Sequence, residues 1–493
     1  MKKTSLTRKK TATVNPSRYF GFPGKIVSLS LFLSCLTCAP ANAAANLSYL
    51  QGLLASTPQG GWVQANTNKF SDAWPSLAEG GVPNGNPAAI VHAWSSFAWD
   101  SNRGDLLLFG GGHANYSGNE MYVWKGTDGT WTRGSLPSRL ERYGSTSTVF
   151  IVDNAAPQSA HTYDNNIYLP INDMFVTFGG AAFNSGGDFA VKGSDGKPVT
   201  AGPWMWDPNK ADPSKVGGTD GSGYNPNSLG GTMWSNQNGQ WVGATGSPHL
   251  EGYTAYRQEN GKDVIYVAAP GGGGWPSLYR YQVGNVRAGE LGVYEKVGIA
   301  WNAPSFQGTA TIDSENGLYI RTTSVNGFQK GLAIWDLSKS NAANPDSNRD
   351  IAIKLVNTDG SQFLMNVDFG IDYDSASHKI LMWDGSSKGK VWSVEVAKDS
   401  DGKVLPTWTV TELPSTTFAE PSGSFQTGVL GKWKYVSELN AYVALNEFSD
   451  VTKDAEVWLY KPFTAAVPEP GIYLMMLAGL GLMGWMSRRR LVG

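Results

Sequence analysis

Cysteine is nearly missing from this chain: its 493 residues hold two, Cys35 and Cys38, both in one apolar segment near the N-terminus. With that segment removed as an export signal, no thiol remains to form a disulfide, ligate zinc or cross-link a copper-radical ligand. Charge is scarce as well: charged residues make up 16% of the chain and the formal net charge is −2, so no basic field points to nucleic acid. Histidine occurs only five times. What is abundant is glycine (60), proline (26) and tryptophan (19), a composition that favours many short strands over helices.

The N-terminus reads as an export signal. Lys and Arg residues up to Lys25 precede an apolar run from Ile26 to Leu36 and an A-x-A site at Ala41-Asn42-Ala43, so cleavage is expected after Ala43. Neither cysteine follows the Leu-small-small pattern of a lipoprotein box, and no N-terminal lipidation is expected.

Between residues 44 and 463 one pattern recurs. The clearest copy runs from Leu106 to Trp131, where LLLFGGG, MYVW and KGTDGTW read as three antiparallel strands, with a further strand upstream at Ser95–Asp100. Its middle strand returns at Met174, Val264, Gly317, Lys379 and Asn440, making six copies, and an aromatic third strand follows each. Tryptophan closes units at Trp131, Trp241 and Trp408, and polar turns such as WDSNRGD, TIDSENG and YDSASHK join first to second strands. The periods of roughly 54 to 90 residues imply inserted surface loops, chiefly between Gly179 and Trp241. A sheet this small cannot bury both faces alone, so the units must stack on one another. The expectation is all-β: a six-bladed β-propeller of four-stranded antiparallel blades. Gly61-Trp-Val-Gln-Ala65 is expected either to supply the fourth strand missing from the last unit, closing the ring, or to begin a separate N-terminal strand at Trp62.

The glycines after the second strand, Phe109-Gly-Gly-Gly112 and Phe178-Gly-Gly180, together with the closing tryptophans, resemble kelch or galactose-oxidase-like propellers. The last four units depart from the double glycine except at Gly271. The copper-radical chemistry of galactose oxidase needs a Cys joined to a ligand Tyr, so the resemblance does not carry that cofactor here.

Residues 464–493 change character. Val467-Pro468-Glu469-Pro470 precedes an apolar run from Gly471 to Met486, expected as a single transmembrane helix, and then Arg488, Arg489 and Arg490. This order resembles the PEP-CTERM sorting signal. The resemblance implies an exosortase-type partner, transient anchoring in the inner membrane, removal of the helix, and delivery to the cell surface or matrix, often beside exopolysaccharide.

Strand topology places candidate chemistry. His113 follows the glycines in a second-to-third-strand turn, His92 precedes a first strand, His161 opens the first strand of the second unit, and His249 precedes Tyr253. All four therefore map to one face, with Tyr116, Glu120, Glu141, Arg142 and Glu251 nearby, whereas His378 maps to the other. Clustered imidazoles are candidates to bind a divalent metal or to provide a general base. His113, His161, His249, Tyr116 and Arg142 are the catalytic candidates, suited to proton abstraction and elimination on a uronate. His92, Glu120, Glu251 and Trp275 are the binding candidates. Trp74, Trp94 and Trp234 are further candidates to stack on sugar rings, though tryptophans in such positions are more often core. Three functional readings follow: a glycan-binding or matrix protein, a polysaccharide lyase (less readily a hydrolase), and a protein-interaction scaffold.

Overall fold

Apolar runs of four to seven residues punctuated by Asp, Asn and Gly fold as meanders, because each turn caps itself and each strand pairs with the one before it. The first turn shows the mechanism: Asp100 Oδ1 accepts from the backbone N–H groups of Asn102 and Arg103 at 3.0 Å, and Gly104 takes φ +74°. The computed structural model describes residues 45–76, 84–145, 148–183, 186–219, 230–242, 252–270, 275–304, 307–323, 331–365, 369–385, 388–422, 427–446 and 455–464. The chain divides into two units, Met1–Ala43 and Ala44–Gly493. The expected signal peptide, the sorting motif and the helix at 471–486 lie outside the described residues. Among those that are described, no helix is long and apolar enough to cross a membrane.

Helix α1 (Ser48–Ser56) leads into β1 (Gly61–Gln64), and a single turn, α2 (Ala89–His92), precedes the first meander. That meander comprises β2 (Phe97–Asp100), β3 (Asp105–Leu108), β4 (Tyr122–Lys125) and β5 (Thr130–Arg133). A ribbon of β6 (Leu140–Arg142) and β7 (Val149–Ile151) and the short β8 (Ala160–His161) follow. The second meander is β9 (Asn166–Leu169), β10 (Met174–Thr177), β14 (Trp204–Trp206) and β15 (Trp234–Asn236), interrupted by β11 (Ala181–Ala182) and the ribbon β12 (Ala190–Lys192) and β13 (Pro198–Thr200). After β16 (Trp241–Val242), the third is β17 (Tyr253–Glu259), β18 (Lys262–Pro270), β19 (Pro276–Gln282) and β20 (Gly292–Ile299).

Strands β21 (Ala310–Asp313), β22 (Leu318–Thr323), β23 (Gly331–Asp336) and β24 (Ile351–Asn357) join β25 (Gly370–Asp374), β26 (Lys379–Trp383), β27 (Val391–Val394) and β28 (Thr407–Leu413) in one eight-stranded sheet, through parallel pairing of β24 with β28. The last sheet is β29 (Trp433–Val436), β30 (Ala441–Asn446), β31 (Glu456–Lys461) and β1. The fold is thus all-β and propeller-like. First strands pack on first strands, β9 against β2 and β17, and β21 against β17 and β25, which in turn meets β29, so these strands surround a common axis.

The closing pair is present. β1 runs antiparallel to β31 with Trp62 opposite Tyr460, and the Trp62 ring lies 5.6 Å from those of both Trp383 and Trp433, its Nε1 donating to the Gly389 carbonyl at 2.8 Å. Two placements differ from the sequence reading. Trp234, in β15, is the fourth-strand tryptophan of the second meander, while Trp241 sits in β16, a fifth, parallel strand on the outer edge of the next sheet. The stretch between Gly179 and Trp241 looks like loop because its strands are two or three residues long, too short for alternation to register.

Candidate functional site

His161 does not open the first strand of its meander. It belongs to β8, which pairs with β11 so that Ala181 faces His161, and this ribbon is pressed onto the glycines of the first meander. A Cβ on Gly112 would lie 2.1 Å from Ala160 Cα, and one on Gly180 only 1.6 Å from the His161 carbonyl oxygen. Any side chain there would push β8 away, which is the physical reason for glycine at both positions. The ribbon is then bolted in place: His113 N–H donates to the Ala181 carbonyl (3.0 Å), Ser159 Oγ to the Tyr116 carbonyl (2.7 Å), and Tyr163 N–H to the Trp94 carbonyl (2.6 Å).

Four rings meet here. The His161 ring centroid is 5.0 Å from that of Trp94, 5.5 Å from His113 and 6.2 Å from Tyr163. Trp94, His113 and Tyr163 all adopt left-handed backbone, with φ of 45°, 50° and 48°. Asn, Asp and His accept that region readily; bulky aromatic residues such as Trp94 and Tyr163 do so at a cost on the order of 1 kcal/mol or more, which the surrounding structure must hold. His161 is 4% exposed, and burial first, then the neighbouring His113, lowers its pKa from 6.5 to about 4, so the ring is neutral at ordinary pH. Its Nε2 lies 2.7 Å from Asn115 Oδ1; with the amide oxygen facing it, Nε2 carries the proton and Nδ1 keeps the lone pair. His113 and Asn115 are exposed and Trp94 is half-buried, so the cluster is open to solvent on one side.

Other predicted residues fall elsewhere. Glu120 and Tyr116 are fully buried, not at a surface: Glu120 Oε1 accepts from the hydroxyls of Tyr116 (2.5 Å) and Tyr122 (2.6 Å), and burial pushes its carboxyl pKa up. Together they brace the turn that carries His113. Arg142 is exposed in the outer β6–β7 ribbon, where neighbouring Glu141 pairs with Lys192 at 2.6 Å. His92 is half-buried at the end of α2, its carbonyl accepting from Thr427 Oγ1 at 2.9 Å. Trp275 is 49% exposed just before β19, in a second-to-third-strand turn as His113 is. Trp234 is core, and Trp74 packs on Phe70. His378, on the opposite face, lies 2.9 Å from Glu315. His249 and Glu251 lie outside the described residues. Among the described residues no three His, Cys, Asp or Glu side chains converge as metal ligands.

The sequence reading missed Asn115 as the partner of His161, and it missed Tyr163. It also missed a charged group on the axis. Lys434 Nζ of β29 lies 2.9 Å from Asp164 Oδ1, whose other oxygen accepts from Thr309 Oγ1 (2.8 Å) and Ala310 N–H (3.0 Å). Asp372 of β25 accepts from Thr311 Oγ1 (2.5 Å) and Tyr435 N–H (2.7 Å). Burial raises both carboxyl pKa values. It works against the Lys434 ammonium as well, but the two carboxylates outweigh it and hold the lysine charged.

Residues 466–490 match the model of the PEP-CTERM protein-sorting motif. The C-terminal segment is a PEP-CTERM signal. Such a signal implies export through an exosortase system and a surface or extracellular destination. Comparison with the curated proteins returned no match. Among solved structures, the chain is similar to TolB from Acinetobacter baumannii at 12% identity and a TM-score of 0.26, over 66% of this chain and 55% of that one. A putative TolB from Agrobacterium tumefaciens matches at 12% identity and a TM-score of 0.28, over 75% and 90%. CoXyl43, a GH43 β-xylosidase/α-arabinofuranosidase from a compost microbial metagenome, matches at 10% identity and a TM-score of 0.27, over 67% and 98%. These likenesses are distant, and nothing about ligand or activity is taken from them.

Proposed function

We propose that the protein is a surface-destined, six-bladed, kelch-like propeller that binds glycan through the ring cluster of Trp94, His113, His161 and Tyr163. The blade count reads the eight-stranded sheet as two four-stranded meanders joined at their outer strands, as its internal order supports. The observation that carries the glycan reading is the cluster itself. A half-buried tryptophan face 5.0 Å from a neutral imidazole, edged by the exposed His113 and Asn115, joins a flat apolar platform to hydrogen-bonding groups. Sugar rings, apolar on their C–H faces and polar at their edges, complement such a surface. The sorting signal, which indicates a surface or extracellular destination, supports a setting in which extracellular polysaccharide is within reach.

Two features weigh against the lyase reading. An imidazole whose conjugate acid has a pKa of about 4 is a weak base toward a carbon acid, and the Tyr116 hydroxyl is buried and committed to Glu120. A divalent metal would find two imidazoles, His113 and His161, and would need His92 or His249 to complete its ligands. Titrating the purified protein with acidic and neutral polysaccharides, with and without added zinc, tests the proposal. Saturable binding without formation of unsaturated product, lost in Trp94→Ala, is expected. Turnover, or binding that needs metal, would favour the enzyme reading, and no binding to any glycan would leave the scaffold reading.

A further inference from the structure

The face opposite His161 holds a second feature that the reading above does not use. A cavity of about 450 Å³ lies on the axis, lined by residues of β2, β9, β17, β21, β25 and β29 and reaching the first-to-second-strand turns at Ser101, Pro170 and Ser437. Its volume is in the range of small-molecule sites. Five of those six strands place an aromatic residue at the same register of the lining: Trp99, Tyr168, Tyr256, Tyr373 and Tyr435 pair across to Leu106, Phe175, Ile265, Ile380 and Tyr442. All four phenol hydroxyls are tied to acceptors near the turns, Tyr168 to Asp173 (2.6 Å), Tyr256 to Asp263 (2.7 Å), Tyr373 to Glu315 (3.3 Å) and Tyr435 to Asn440 (2.9 Å), leaving their rings as the contact surface.

Deeper in the cavity the lining is polar. The Lys434 ammonium lines the space and, among the described residues, donates a hydrogen bond to Asp164, with three N–H groups to offer. Lys434, with N–H groups to offer, and the Asp372 carboxylate share this lining, so a group that donates and accepts at once complements it. A hydroxyl does both. An anion would meet the Asp164 and Asp372 carboxylates as well as Lys434, which disfavours it.

We propose that this axial cavity is a second ligand site, taking a neutral sugar unit or similar polyol, with ring stacking at the aromatic collar and hydroxyls on Lys434 and Asp372. The site stands independently of the ring cluster on the opposite face, and its test separates the two. Protein isolated from the cell surface is titrated with glucose, galactose, mannose, xylose and cellobiose, followed by tryptophan fluorescence and saturation-transfer NMR. At least one sugar is expected to saturate. Its affinity should fall about tenfold or more in Lys434→Met and in Gln258→Trp, which crowds the mouth from an exposed position. If Lys434→Met does not fold, Gln258→Trp alone decides. No saturating sugar, or binding that survives obstruction of the mouth, overturns the site. Binding lost only in Trp94→Ala overturns it too, and moves the sugar to the opposite face.

Discussion

At the scale of single residues, His161 is the most informative side chain. Its pKa lies below the ordinary histidine value because burial penalises the charged ring. Protonation is therefore easier in the unfolded chain, so the stabilisation is fully present above about pH 6.5 and is lost as the pH falls toward 4. Between pH 7 and pH 4.5 this amounts to roughly 2 to 3 kcal/mol. Urea unfolding at those two pH values should show a loss larger by about that amount in the wild type than in His161→Gln; equal losses would contradict the placement. Sequence marked His113 and His161 for one face, and the Gly-Gly-Gly run as architecture. It did not reveal that the two observations are one: Gly112 and Gly180 are the seat on which β8 carries His161. Glu120 went the other way, since a carboxylate next to a surface turn reads as exposed, and only three dimensions reveal the two tyrosines enclosing it.

At the scale of elements, the meanders were legible because tight Asp-, Asn- and Gly-rich turns leave each strand as a clean apolar run. The closing strand was legible for the same reason, as a fourth strand displaced to the other end of the chain. Trp62 carries the clasp: it is 2% exposed and packed among Trp383, Trp433 and Tyr460. Trp62→Ala should cost about 3 to 5 kcal/mol in chemical denaturation, and a loss under about 1 kcal/mol would show that β1 is dispensable for closure. What defeated sequence reading was length. The strands β8, β11 and β16 have two residues each, below any periodic signal, and β16 pairs parallel to a strand some fifty positions on.

At the scale of the whole molecule, one signal lay in the sequence unread. Stacking the six first strands aligns Ala98, Ile167, Ala255, Thr311, Asp372 and Lys434 at one register, so a carboxylate and an ammonium stand where the others have Ala, Ile or Thr. Lys434 bonds Asp164, which accepts from Thr309 and Ala310, and the charge of Asp372 adds to the hold on the ammonium. The axis joins two faces with different chemistry: aromatic rings around a neutral imidazole on one, an aromatic collar over an ammonium and a carboxylate on the other. The PEP-CTERM signal delivers both to the outside of the cell. The most direct test of surface glycan binding is fractionation of native host cultures, following the protein by mass spectrometry. The account predicts that wild-type protein, free of peptides from beyond Gly471, co-fractionates with extracellular polysaccharide and that Trp94→Ala is released into the soluble medium. Equal partitioning of the two, or wild-type protein that never accompanies the polysaccharide, would contradict it.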